Sequence, residues 1–183
     1  MRIALTGSAN VGKTTLFNAL KNELKNYSFY PELAIQLIKE QPDLFLDKLE
    51  FEKSLYELHK LREKDSSFME KDNIIVDRCL MDALVYAKYY NLTEHFNRGQ
   101  IIKELTDACY DMIFIVFPFE PFREADKLHI MFIEEAVKLS QRGIPFALVE
   151  QEDLAGRIDL ILSHIKHFEK DMTLSPSASS SRS

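Results

Sequence analysis

The chain has 183 residues, 46% of them hydrophobic and 28% charged, which suits one globular α/β domain and falls short of two. Its formal charge of −6, with Lys and Arg scattered, excludes a general nucleic-acid binder, which would carry a basic stripe; a local basic pocket for phosphates is still compatible. No apolar run reaches membrane length, no signal peptide is recognisable, and Cys79 and Cys109 have neither a disulfide framework nor metal-ligand spacing, so a cytoplasmic protein with reduced thiols is expected.

In chain order, Arg2 to Thr6 (RIALT) predicts a buried strand that runs into a glycine loop. Leu16, Ala19, Leu20 and Leu24 recur at helical spacing, so a helix starts near Lys13. Tyr27 to Tyr30 predicts a short second strand ended by Pro31, and Glu32 to Glu40 a helix broken by Pro42. Asp43 to about Phe68 reads as a long amphipathic helix or a helix pair. Asn73 to Asp77 is a buried strand ending in a carboxylate, followed by helical patterns over Met81–Tyr90, Glu94–Asn97 and Gln100–Cys109. Met112 to Phe117 is a strand stopped by Pro118; a helix from Glu124 to Gln141, a turn at 142–145, a strand from Phe146 to Val149 and a helix from Leu154 to Phe168 complete the domain. The Ser-rich residues at the end are set aside as a disordered tail, giving a domain over 1–170 and a tail over 171–183.

Strands alternating with helices predict a parallel sheet of five strands, covered on both faces. Ligands of such sheets bind beyond the carboxyl ends of the strands. Gly7, Glu32, Asp77 and Pro118 all fall just past predicted strand ends, so the candidate chemistry converges on one edge.

The most specific signal is Gly7, four residues, then Gly12-Lys13-Thr14, the spacing of a phosphate-binding P-loop, placed between a strand and a helix as that loop requires. Glycines let successive backbone N–H groups converge on one concavity, and the helix that starts there adds the positive end of its dipole. The nucleotide-binding residues expected are Gly7, Asn10, Val11, Gly12, Lys13, Thr14 and Thr15, with Lys13 on the β- and γ-phosphates and the Thr14 hydroxyl on Mg²⁺. The wording NVGKTTLFNAL resembles the first motif of ribosome-associated and iron-transport GTPases. The guanine-reading Asn-Lys-x-Asp is missing, however, and the one Asp-x-x-Gly, Asp153 to Gly156, follows the last strand, too late to sense a γ-phosphate.

Asp77-Arg78 ends the strand expected beside the P-loop strand. A carboxylate there can hold Mg²⁺ directly or through water, and the planar fork of an arginine suits bidentate contact with a phosphate. The bland alternative is an exposed ion pair of little energetic consequence.

Asp77-Arg78 followed by Asp82 and Tyr86 is similar to the DR-x-x-x-D-x-x-x-Y pattern of a P-loop group described as AAA-type ATPases, related to the ribosylnicotinamide kinase domain of NadR-type proteins and, more distantly, to deoxynucleoside and thymidylate kinases. The likeness extends over residues 1 to about 168, through Tyr30-Pro31-Glu32, Tyr110-Asp111 and the Gly143 turn, and is specific only in the P-loop and the Asp-Arg block. It implies a three-layer P-loop NTPase fold and an ATP- and Mg²⁺-dependent kinase acting on a small nucleoside- or nucleotide-like acceptor.

The same resemblance implies roles residue by residue. Glu32 would be the base that takes the acceptor's proton, or else only a helix-start carboxylate favoured by the dipole. Asp77 would join Thr14 at the metal, and Arg78 would bind phosphate or acceptor. Asp82 would orient the acceptor, or else be a solvated helix residue. Arg123 would be a lid cation that closes on the transferring phosphate, with Arg142 in reserve; the stricter kinases carry more lid arginines than this chain does.

Phe45, Phe51, Tyr56 and Phe68 are candidates to stack a base, with the core as the alternative, and His59, His164 and His167 are expected at the surface. The partners expected are a nucleoside triphosphate and a small acceptor, without nucleic acid or membrane, and a homodimer is left open. Two other readings remain at this point: an NTP-hydrolysing switch using GTP or ATP, and a regulatory module that binds nucleotide for a protein partner.

Overall fold

The structure, a computed structural model, describes residues 1–118 and 123–174, without the side chains of 123–126 and 172–174. Five parallel strands, β1 (Arg2–Thr6), β2 (Ser28–Tyr30), β3 (Ile74–Asp77), β4 (Met112–Val116) and β5 (Phe146–Val149), form one sheet in the order β2-β3-β1-β4-β5. The helices are α1 (Lys13–Glu23), α2 (Leu33–Glu40), α3 (Lys48–Lys64), α4 (Ser66–Met69), α5 (Leu80–Tyr89), α6 (Arg98–Asp107), α7 (Arg123–Ser140) and α8 (Leu154–Leu174).

The strands are apolar on both faces because both faces are covered, as a parallel sheet demands. Ile3, Leu5, Ile75, Phe114 and Val116 pack with Leu16, Phe17 and Leu20 of α1 and Ile161 and Ile165 of α8. Their neighbours along the same strands, Ala4, Ile74, Val76, Ile113 and Ile115, pack with α5, α6 and α7 through Leu84, Leu105 and Phe132. The period-two alternation of strand side chains thus feeds two separate cores.

Leu5 pairs with Asp77 and Thr6 with Ile115, so Gly7, Arg78 and Phe117 emerge side by side, and Tyr30 beside Val76 brings Pro31 and Glu32 to the same edge. The convergence expected from the sequence is therefore present in the register.

Differences from expectation lie at helix ends. The region 43–68 divides into a 3₁₀ turn at Pro42–Leu46, then α3 and α4. Each of the two helices is started by an aspartate: Asp47 accepts from Leu49 N and Glu50 N at 3.1 Å, and Asp65 from Ser67 N at 2.8 Å. Such caps satisfy first-turn N–H groups that would otherwise be orphaned, at about 1 kcal/mol each. Asn97 likewise starts α6 at Arg98 by accepting from Gln100 N at 3.1 Å, and the residues before it form only a 3₁₀ turn, Thr93–His95. Helix α8 continues to Leu174, which corrects the tail boundary placed at 171. Among the described residues no helix is long and apolar enough to cross a membrane.

Candidate active site

The loop between β1 and α1 is shaped by three residues with positive φ: Gly7 (134°), Asn10 (62°) and Gly12 (85°). At Gly7 the requirement is also one of space, since a Cβ would sit 2.6 Å from the Val116 carbonyl oxygen. Gly12 is the N-cap of α1 and offers no side-chain acceptor, and no acidic residue occupies the first turn. The first N–H groups of α1 are thereby left for an anion, as a P-loop needs.

Lys13 is buried, and its Nζ donates to the Ser8 carbonyl within the loop at 2.6 Å. Burial, helped by the nearby Arg78 guanidinium, pushes the Lys13 ammonium down to about 8. It is still the protonated form that dominates at pH 7. Ser8 Oγ is sealed from solvent without a hydrogen-bond partner. Thr14 and Thr15 are exposed at the mouth, and Val11 is buried beneath it.

The Thr14 hydroxyl donates to Asp77 Oδ2 at 3.3 Å, while Asp77 Oδ1 is buried and unpartnered. Burial, reinforced by Glu32, pushes the Asp77 carboxyl up to about 6 against the opposing pull of Lys13 and Arg78. An orphaned carboxylate oxygen beside a hydroxyl, next to a phosphate cradle, fits Mg²⁺, a hard cation commonly held by one or two protein oxygens plus substrate phosphates and water. Thr14 and Asp77 would hold it. Among the described residues there is no cluster of three His, Cys, Asp or Glu side chains able to hold a metal without the nucleotide.

Arg78 is the centre of the other half. It is buried, so the exposed-pair alternative is overturned. Nε donates to Glu32 Oε1 at 2.5 Å, and Nη1 to Asp82 Oδ1 at 2.6 Å and to the Gly7 carbonyl at 3.2 Å. The guanidinium also lies 5.4 Å from the centre of the Tyr86 ring, a cation–π contact. Burial works against its charge, and Tyr86, Asp82 and Glu32 more than offset that, holding it cationic.

The backbone at Arg78 is left-handed, φ 68°, costly for a residue with a side chain and maintained only where surroundings over-determine it. Here its N–H donates to Leu5 O at 2.9 Å, and Arg62 Nη2 donates to its carbonyl at 2.9 Å.

Asp82 is neither solvated nor turned to an acceptor. Its Oδ2 accepts from Thr6 Oγ1 at 2.7 Å and from Cys79 N at 3.1 Å, while its Oδ1 holds Arg78. These contacts hold Arg78 in place, where the resemblance implied a residue that orients the acceptor. Glu32 is the N-cap residue of α2, yet its side chain caps nothing and turns to Arg78 instead; its Oε2 has no hydrogen bond among the described residues.

The side chain of Arg123 lies outside the described residues. Arg142 is exposed in the turn before β5, at the amino edge of the sheet, opposite the P-loop, so it cannot serve as the reserve lid cation. Of the four aromatics, Phe51 and Phe68 are core residues, Tyr56 donates to Glu104 Oε2 at 2.6 Å, and Phe45 lies under the Lys48 ammonium at 3.4 Å. His164 packs edge-on against Phe114, half-buried rather than at the surface as expected, and His167 is exposed.

Two groups of residues escaped the sequence reading. His59 is buried, not at the surface, because Glu52, Leu55, His59 and Glu63 fall on one face of α3, the face it buries. Below Arg78, His59 and Glu63 form a polar layer in which Arg62 bonds His59 Nδ1 at 3.0 Å and Glu63 at 3.2 Å, and Tyr110 donates to Glu63 at 2.8 Å. The 3- and 4-residue spacing was the signal. Burial and the two arginines keep His59 neutral, well below its ordinary range. The other is Arg157 of α8, which donates to Val11 O and Phe117 O at 2.8 Å and to Gln151 O at 2.7 Å, tying the P-loop to the loops after β4 and β5. No local motif marks it.

A five-stranded parallel sheet with a glycine cradle at the end of its central strand defines a P-loop protein. The profile of a family described as AAA domain matches residues 2–155, and the chain belongs to that family. No curated protein sequence matches the chain. Among solved structures, thymidylate kinase from Ehrlichia chaffeensis superposes with a TM-score of 0.63 at 15% identity, over 90% of this chain and 98% of that one. Deoxyadenosine kinase from M. mycoides, solved with dCMP and dCDP, gives 0.59 at 16%, over 92% and 100%. A NadR protein in complex with NR gives 0.70 at 20%, over 91% of this chain and 48% of that one, so the chain spans about half the length of NadR. At these identities the likeness is one of fold.

Proposed function

We propose that the chain is a kinase that transfers the γ-phosphate of ATP, with Mg²⁺, to a small nucleoside- or nucleotide-like acceptor. The observation that carries this reading is the braced Arg78 guanidinium, bonded to the Gly7 carbonyl of the P-loop on one side and to Glu32 and Asp82 on the other. Hydrolysis needs a positioned water and charge neutralisation at the γ-phosphate, but no site for an acceptor. A transferase needs one, because phosphoryl transfer is mostly positioning and charge neutralisation. The solved neighbours with this fold include kinases of nucleosides and nucleotides, and they support the reading without naming the acceptor.

In this account the P-loop N–H groups and Lys13 bind the β- and γ-phosphates, and Arg78 faces the transferring group. Thr14 and Asp77 hold the magnesium ion, which supplies charge neutralisation when bound. The acceptor oxygen attacks the γ-phosphorus, the bond to the bridging oxygen breaks, and ADP leaves. The acceptor's proton passes to Glu32, whose Oε2 has no hydrogen bond among the described residues, and a loose transition state asks little of that base. Lys13, Glu32, Asp77 and Arg78 are the catalytic group, with Arg123 proposed as the lid cation.

The test is nucleotide turnover with Mg·ATP or Mg·GTP across nucleosides, nucleoside monophosphates and ribosylnicotinamide, with Lys13→Ala as control. ADP release that rises with one acceptor, together with a phosphorylated product, upholds the kinase. Slow, acceptor-blind, guanine-selective turnover would replace it with a switch.

A further inference from the structure

One side chain joins three loops at the carboxyl edge of the sheet. Arg157 of α8 is 1% exposed, and its guanidinium donates to the backbone carbonyls of Val11 and Phe117 at 2.8 Å and of Gln151 at 2.7 Å. Val11 belongs to the P-loop, Phe117 is the first residue after β4, and Gln151 lies between β5 and α8. A rigid planar fork of five donors suits three carbonyls at once, which the point charge of a lysine does not.

Peptide geometry carries this contact into the phosphate cradle. The Val11 carbonyl and the Gly12 N–H share one peptide, which is trans, and in a planar trans peptide the two point in opposite directions. With the carbonyl held by Arg157, the Gly12 N–H faces the other way, and it has no hydrogen bond among the described residues. Gly12 sits at φ 85°. Glycine tolerates positive and negative φ alike, so its own backbone does little to stop this peptide from turning over. A reversed peptide would aim a carbonyl oxygen, in place of a donor, at any bound phosphate. The glycine that lets the loop form thus also leaves it free to invert, and Arg157 removes that freedom.

Two other carbonyls of the loop are held in a comparable way. Gly7 O accepts from Arg78 Nη1 at 3.2 Å, and Ser8 O from Lys13 Nζ at 2.6 Å. Arg78 and Lys13 are also expected to meet phosphate, whereas Arg157 spends its three printed bonds on backbone alone.

We infer that Arg157 is a positioning residue of the phosphate cradle, which holds the Val11–Gly12 peptide with its N–H toward the phosphates. Through the same guanidinium it fixes the cradle against the chain that leaves β4 and β5. This rests on nucleotide binding at the P-loop, one half of the kinase reading, and not on transfer to an acceptor.

The experiment compares the full chain with Arg157→Lys, which keeps the charge and loses the planar fork, and Arg157→Met, which loses both. Thermal unfolding reports that the variants are folded. Affinities are measured for Mg·ATP, Mg·ADP and Mg·tripolyphosphate, and amide spectra follow the Gly12 N–H. In wild type, Mg·ADP should move the Gly12 amide proton downfield, as a new bond to phosphate does; an unmoved Gly12 amide with Mg·ADP bound overturns the inference without any variant. Both variants should bind all three ligands about ten- to a hundredfold more weakly and lose most of the Gly12 shift. The loss should be equal for Mg·ATP and Mg·tripolyphosphate. A loss confined to the nucleotides would place the effect at Gln151 and the base, and overturn the inference. Unchanged affinity for tripolyphosphate in a folded variant does the same, and leaves nucleotide binding standing. Wild-type protein that binds none of the three removes the kinase reading and this inference with it.

Discussion

The two halves of the candidate site are finished to different degrees. On the P-loop side, Lys13 reaches only a carbonyl of its own loop, and Ser8 Oγ and Asp77 Oδ1 are buried without partners. On the acceptor side, Arg78 bonds two carboxylates and a carbonyl, and its own backbone is tied by Leu5 and Arg62. The first half keeps polar groups without partners, and in the proposed reading phosphate and metal would complete them and repay a cost already built into the fold. The second is preorganised, and its work is to hold one cation still. Removing a residue should therefore cost function on the first side and the fold on the second.

Arg78→Ala should break the comparison most visibly. It leaves Glu32 and Asp82 facing a cavity without their cation, a loss of about 3–5 kcal/mol for a buried pair, read as a fall in the denaturation midpoint. Lys13→Ala should behave in the opposite way. Turnover should fall roughly 10²–10³-fold, as for other preorganised charge-stabilising groups, while the midpoint holds or rises because a buried ammonium is gone.

Asp77→Asn sharpens the same contrast. The folded protein holds the Asp77 proton more tightly than the unfolded chain, so this group's stability contribution is fully present below about 3.8 and is lost as pH rises through about 6. Above that pH the buried charge is a burden, and a shift of about two units is worth at most about 3 kcal/mol. The variant should be more stable than wild type at pH 7–8 and lose the slope between pH 4 and 6, measured by denaturant unfolding across pH. Its Mg²⁺-nucleotide affinity should drop and no longer rise through pH 6.

The strand alternation and the glycine spacing carried the architecture, because both are local: Ile3 and Leu5 against Ala4, and Gly7 to Thr14, can be read a few residues at a time. Helix ends were less legible, since a single capping carboxylate, Asp47 or Asp65, outweighs an amphipathic pattern that runs across it. That Lys13, Thr14, Asp77 and Arg78 meet at one edge of the sheet was legible from motif and strand end. What Asp82 touches was not, because a buried and a solvated helix carboxylate have the same spacing until Thr6 and Arg78 are placed beside it. Arg157 acts across a long separation in sequence, and no local pattern pairs it with Val11.

The most direct measurement follows the γ-phosphate itself. ATP labelled there is incubated with the protein, Mg²⁺ and an acceptor mixture, and the label is partitioned between organic phosphate ester and inorganic phosphate. The account predicts that the label moves predominantly to an acceptor hydroxyl and that both products fall by the same roughly 10²–10³-fold in Lys13→Ala. Label found only in inorganic phosphate, at a rate indifferent to the acceptors, would contradict it.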